Sequence, residues 1–165
     1  IGTGVLFAAA MAGATQPGAL DCVLAAMTSS QHTLLAGLRR CQDAIHACTD
    51  ITGFGLLGHL EEMLQSSHPE LRVTLEGDRI KAFPGALKLL EAGYASSLAP
   101  SNRSAWRLLD SQVTVKGRQD SAVLELLVDP QTCGPLLVAC SQAAAESLTA
   151  LGAWTQIGTA APGHR

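Results

Sequence analysis

The sequence predicts an α+β domain in which a mixed β-sheet is covered by helices, and three observations carry that prediction. Apolar residues recur at helical spacing in several windows, and β-branched and apolar residues alternate in others. Glycine and proline punctuate the joins without strict β-α alternation. With 165 residues, 47% hydrophobic and 15% charged, the chain can bury a core without disulfide or metal staples.

Taken in order, Gly4-Val5-Leu6-Phe7-Ala8 is a short apolar run and reads as a buried strand. Pro17-Gly18 breaks the chain, and Leu20, Val23, Leu24 and Met27 then form a helical stripe up to Ser29-Ser30. A second helix carries Leu34, Leu35, Leu38 and Cys41 on one face, and Arg39 and Arg40 lie off that stripe on solvated surface. Ile45, Ala47 and Thr49 alternate with His46, Cys48 and Asp50, the period of a strand. After Gly55, residues Leu56, Leu57, Leu60, Met63 and Leu64 mark one face of a helix that stops before Ser66-Ser67-His68-Pro69.

Arg72 to Glu76 alternates as a strand, and a helix from Pro84 through Leu90 ends at Gly93. Ser96 to Asn102 is a loop rich in hydrogen-bonding side chains, followed by a short helix around Trp106, Leu108 and Leu109. The last third reads as strands at Val113 to Val115, Val123 to Val128, Leu136 to Cys140 and Trp154 to Ala160, with an Ala-rich helix from Gln142 to Leu151. The total is about six or seven strands and about five helices in one domain, 1–165, with no internal repeat and no linker long enough to divide it.

Composition narrows the function classes. Net charge is −3, aromatics are 4% of the chain and no basic run is interleaved with them, which argues against nucleic acid. No apolar run approaches the about 18 residues needed to span a bilayer. Five cysteines without a Cys-x-x-Cys pair make neither a disulfide framework nor a zinc site, and fit a reduced, cytoplasmic setting with Cys48, Cys133 and Cys140 as buried, inert thiols. The start, Ile1-Gly2-Thr3-Gly4, has no signal-peptide character and reads as the interior of a longer protein.

The chemistry concentrates in Cys48-Thr49-Asp50-Ile51-Thr52-Gly53-Phe54-Gly55-Leu56-Leu57-Gly58-His59-Leu60. A strand turning through glycines into a helix aims the helix's first N–H groups beyond the strand end, where an anion is favoured. Asp50 at that end suits Mg²⁺, which takes carboxylate and phosphate oxygens and keeps several waters. Equally, Asp50 or Thr52 suits a helix N-cap, worth about 0.5–2 kcal/mol, although neither is followed three residues later by Glu or Gln. Gly53 and Gly55 suit a tight turn or a close approach of backbone to ligand. Gly58, inside the helix, costs about 1 kcal/mol against Ala and points to another element packing close. His59 reads as a packed or hydrogen-bonded residue. The spacing matches neither phosphate-loop glycine pattern. The turn Asp129 to Gly134 reads as structural, and Ser101 and Asn102 as weaker candidates.

The same stretch resembles the signature of the selenophosphate synthetases, and the resemblance extends over Ile1 to Leu6, Pro84 to Leu87, Ala95 to Arg103 and Asp129 to Thr132. It covers the C-terminal half of that family, which belongs with the aminoimidazole ribonucleotide synthetase-like proteins. The resemblance implies a C-terminal α+β domain of a two-domain enzyme whose absent N-terminal domain dimerises. It implies conversion of ATP, selenide and water to selenophosphate, AMP and phosphate with Mg²⁺. By it Asp50 is the metal ligand and the catalytic residues lie upstream; Thr52, Gly53 and Gly55, beside it in the same stretch, are the candidates for binding the nucleotide. Cys133-Gly134-Pro135 departs from the family's glycine pair, and Pro135 lacks an N–H, so no nucleotide contact is carried onto that loop. Two other readings are an ATP-using relative of the thiamine monophosphate kinase or hydrogenase-maturation type, and a non-catalytic interaction module.

Overall fold

The computed structural model describes residues 1–163. Eight α-helices and five strands follow one another along these residues: α1 (Thr3–Met11), α2 (Asp21–Thr28), α3 (His32–Arg40), β1 (Ile45–Asp50), α4 (Gly55–Gln65), β2 (Leu71–Glu76), α5 (Ala86–Glu91), α6 (Ala99–Asn102), β3 (Val113–Lys116), α7 (Ser121–Val128), β4 (Leu136–Cys140), α8 (Gln142–Thr149) and β5 (Gly158–Pro162). Short 3-10 segments occupy Gln42–Ala44, Gly77–Arg79 and Arg103–Leu108.

The α+β class and the mixed sheet hold, but the strands divide into two sheets. One is the antiparallel ribbon β1-β4, with Asp50 opposite Leu136. In the other, ordered β3-β2-β5, β2 runs parallel to β3 and antiparallel to β5. The core joins α1, α4, α5 and α7 to the three-stranded sheet through Leu6, Leu57, Leu126, Leu127, Val113 and their neighbours.

Two predicted strands are helices. Residues 4–8 lie in α1, whose sequence is apolar all round, and Val123 to Val128 lie in α7. Ala122, Val123, Leu126, Leu127 and Val128 of α7 are all buried. A run that is apolar on every side carries no period to separate helix from strand. What starts α7 is Asp120, whose carboxylate accepts the Val123 N–H at 3.1 Å. These conversions lower the strand count to five and raise the helix count. Residues 99–102, expected in a loop, form α6, and the turn around Trp106 is 3-10. The closing strand begins at Gly158, later than Trp154, where Gly158 lies so close to the Thr74 carbonyl that a side chain would meet it.

The α1 N-terminus is capped from far along the chain. The Gln131 Oε1 accepts the N–H groups of Gly2 and Thr3 at 2.9 and 3.2 Å, and Asp129 Oδ2 accepts that of Gly4 at 3.0 Å. Gly4 permits this, because a Cβ there would sit 2.7 Å from Asp129 Oδ1 and from the Pro130 carbonyl oxygen.

Candidate functional site

Strand β1 alternates as its sequence predicts: Ile45, Ala47 and Thr49 are half-buried, and His46, Cys48 and Asp50 face outward. Because β1 pairs only with β4 among the described residues, this outer face stays open at the strand's end. Asp50 lies there on the wall of a groove of about 610 Å³, with Cys48, Thr49, Cys133, Leu136 and the segment from the end of α2 to Gln31 completing it. Cys48 and Cys133 are therefore exposed and Cys140 is half-buried, contrary to the expectation of buried thiols, since a two-stranded ribbon covers only one of its faces. Partial desolvation and, second, the Asp50 carboxylate push the Cys48 thiol up from its ordinary range. It is thus poorly suited to act as a thiolate nucleophile near neutral pH.

The turn from Ile51 to Gly55 is held by hydrogen bonds at Ile51, Thr52, Gly53 and Gly55. Ile51 N–H donates to the Pro135 carbonyl at 2.9 Å, and the Thr52 carbonyl accepts from Gln131 N–H at 2.9 Å and from Gly55 N–H at 3.0 Å. The Gly53 carbonyl accepts from Asn102 Nδ2 at 2.8 Å, and the same amide group donates to the Val128 carbonyl at 3.0 Å. So the loop after α7 and the end of α6 hold the turn from both sides. Asn102, 9% exposed, is the residue that sequence reasoning undervalued most. Its signal was the polar stretch Ser96 to Asn102, which has no periodicity from which to infer a partner.

Among the described residues no side chain caps α4, whose N-cap position is Phe54, so neither Asp50 nor Thr52 serves there. Thr52 Oγ1 instead lies 3.0 Å from His59 Nε2, and His59 Nδ1 lies 2.9 Å from Glu62 Oε2. His59 is buried, as expected of a hydrogen-bonded histidine, and its ring centroid lies 5.6 Å from that of the exposed Phe54. The glycines differ in what demands them. Gly55 has φ +71, and a Cβ there would lie 2.8–2.9 Å from the Val128 backbone. Gly53 has open space where its Cβ would be. At Gly58 the close neighbour is Phe54 of the same turn, at 2.6 Å from an added Cβ, not another element.

The Asp129 to Pro135 loop reaches this region as scaffold. Gly134 comes so close to the Ile51 carbonyl that a side chain there would collide with it, and its own carbonyl accepts from Gln31 Nε2 at 2.8 Å. Cys133 has φ 56, in the left-handed region that glycine adopts more readily. Burial pushes the Asp129 carboxyl up to about 6, against the opposing pull of its hydrogen bonds from Gln131 and the α1 backbone. Arg39 and Arg40 are exposed, as expected of a solvated helix face.

Among the described residues no three His, Cys, Asp or Glu side chains cluster as a metal site, and Asp50 is the one acidic residue lining the groove. That donor set fits Mg²⁺ in its common mode, one or two protein carboxylates with the remaining positions taken by phosphates and water. A larger trough of about 830 Å³ runs between the two sheets and is lined largely by apolar residues such as Leu60, Leu75, Leu137 and Ile157. No described helix is long and apolar enough to cross a membrane.

Comparison with known proteins matches the whole chain, residues 1–165, to the family described as AIR synthase related protein, C-terminal domain. The chain is 36% identical over 151 residues to the selenide, water dikinase of Pelobacter propionicus, covering 91% of this chain and 41% of that protein. It is 31% identical over 148 residues to the enzyme of that name from Clostridioides difficile, covering 90% and 40%, and 35% identical over 114 residues to that of Dechloromonas aromatica, covering 69% and 31%. The chain thus spans well under half the length of these relatives. With the family model matched from end to end and the α+β fold in place, the chain belongs to the AIR synthase related protein, C-terminal domain family.

Proposed function

We propose that this chain is the C-terminal domain of a selenophosphate synthetase, working in the cytoplasm as part of a longer, homodimeric enzyme. The reaction is ATP, selenide and water to selenophosphate, AMP and phosphate. In this reading Asp50 supplies one carboxylate to the Mg²⁺ that accompanies the nucleotide's phosphates, which the metal lets share a site with an anionic side chain. Thr52 and Gly53 line the approach, and Gly55 lets the turn close. The N-terminal domain brings the nucleophile, the catalytic lysine and the other metal ligands, so the 165-residue chain alone does not turn over.

One observation carries the reading. Asp50 faces outward on the wall of an open groove, at the end of a turn pinned by Pro135, Gln131, Gly55 and Asn102. A carboxylate at the end of so well supported a turn, and the only acidic residue among the described residues lining its groove, is arranged for a ligand completed from elsewhere. The name shared by the relatives supplies the reaction.

The test is Asp50→Asn in the full-length enzyme, followed by selenide-dependent AMP formation against Mg²⁺ concentration. Loss of one charged metal ligand should reduce activity by about 100-fold or more, as removal of a strong electrostatic contact does. Unchanged activity and an unchanged Mg²⁺ requirement would remove Asp50 from the site.

A further inference from the structure

The trough between the two sheets plays no part in the Asp50 site, and two of its walls are strand edges. Residues 135–142 and 153–162 line it without a break, so residues of both faces of β4 and of β5 border it and it runs along the strands' edges. Among the described residues β4 pairs only with β1, and β5 only with β2. Ile51 N–H donates to the Pro135 carbonyl, and by antiparallel alternation the N–H groups of Leu136 and Val138 then point away from β1. Glu76 N–H donates to the Ile157 carbonyl, which likewise turns the N–H groups of Gly158 and Ala160 away from β2. Two rows of backbone donors and acceptors thus open on one largely apolar trough of about 830 Å³.

The start of the chain leads into the same space. The Ile1 amino group donates to the Lys81 carbonyl at 2.8 Å, and the Ile1 carbonyl accepts from Phe83 N–H at 2.9 Å, the bond pattern of a parallel strand pair centred on Ala82. Residues before Ile1 that kept this course would run beside Lys81, Ile80 and Arg79, which line the trough together with Ile1. The relatives have such residues to spare, since the match covers only 41% of the Pelobacter propionicus protein.

We propose that an extended stretch within about the ten residues preceding Ile1 fills the trough as a strand between β4 and β5 and joins the two sheets into one. The proposal rests on the reading of this chain as part of a longer enzyme. A hydrocarbon ligand would suit the apolar lining but leave the edge N–H and C=O groups unpaired, whereas a peptide strand pairs them on both sides. Its length is set by the five residues of each edge strand. Because Leu56 and Leu60 of α4 and Ala145 and Leu148 of α8 also line the space, the strand is sheltered by helices and should be a near-continuous apolar run.

Hydrogen exchange of the full-length protein, read at the Leu136, Val138, Gly158 and Ala160 amides, tests this. All four should exchange about 100-fold or more slowly than in an unstructured peptide, as in strands paired on both edges. A proline at the centre of the stretch removes a ladder donor and should restore exchange at these amides. The Val73 amide, which donates to the Gln112 carbonyl, should stay protected. Should the proline variant fail to fold, cross-linking decides: Ala139→Cys in β4 and Ala160→Cys in β5, each combined with single cysteines along the stretch, should be joined to it by a short bismaleimide.

Fast exchange at the four amides in the unaltered protein would overturn the proposal. Protection that survives the proline, or cross-links that never form, would overturn it as well, and would mean that β4 and β5 close on each other or that a second copy or another molecule fills the trough. If the protein carries no residues before Ile1, the longer-enzyme reading itself falls and takes this one with it. Loss of activity in Asp50→Asn beside unprotected β4 and β5 amides sinks this inference alone.

Discussion

Asp129 offers a quantitative test of how α1 is held. Its side chain is 1% exposed, and its carboxyl titrates at about 6 because burial disfavours the charge more strongly than the Gly4 and Gln131 hydrogen bonds favour it. The folded pKa lies above the ordinary 3.8, so folding binds a proton over the interval between them. The stabilisation this group contributes is therefore fully present below about pH 4 and is lost as pH rises through about 6. At roughly 1.4 kcal/mol for each pH unit separating the two values, the loss is about 3 kcal/mol. Asp129→Asn keeps an oxygen for the Gly4 N–H and removes the titration. Urea unfolding of both proteins across pH 4 to 7 isolates the effect, because the other carboxylates cancel in the difference. The stability of the parent relative to Asp129→Asn should fall by about 2 kcal/mol of that total between about pH 4 and pH 6.5. A difference that is flat with pH, or that rises, would refute the assignment of desolvation as the dominant force on this carboxyl.

The turn makes further predictions. Gly55→Ala places a side chain in the left-handed region, about 1–2 kcal/mol by itself, and drives its Cβ against the Val128 backbone. Its urea midpoint should drop well beyond that of Gly53→Ala, where nothing stands within 4 Å of the added Cβ; equal midpoints would show that the Val128 contact is unimportant. Asn102→Ala leaves the Gly53 and Val128 carbonyls without their shared donor. It should cost about 1–3 kcal/mol in unfolding free energy, and amide hydrogen exchange should show faster opening of the 51–55 turn.

The periodic parts of the molecule could be read from the chain alone. Strand β1 has the alternation that its residues announce, and α4 buries Leu56, Leu57, Leu60 and Leu64 on the expected stripe. From that pattern it followed that Asp50 ends a strand and that a glycine turn leads to a helix. Period is a record of one-sided burial, so it fails wherever an element is covered on several sides. Residues 4–8 and 123–128 are such runs, and both are helical because of what meets them. Asp129 caps α1 from 125 residues away, and α7 is enclosed by α4, α5 and α6. The exposure of Cys48 likewise depended on how many strands join β1. Nor could spacing show that Asn102 and Gln131 pin the turn, since hydrogen bonds between segments so distant leave no local pattern. Alternation and glycine spacing alone place the carboxylate, hydroxyl and glycines together between a strand end and a helix start. Which of them the fold holds and which face outward depends on partners brought together by folding.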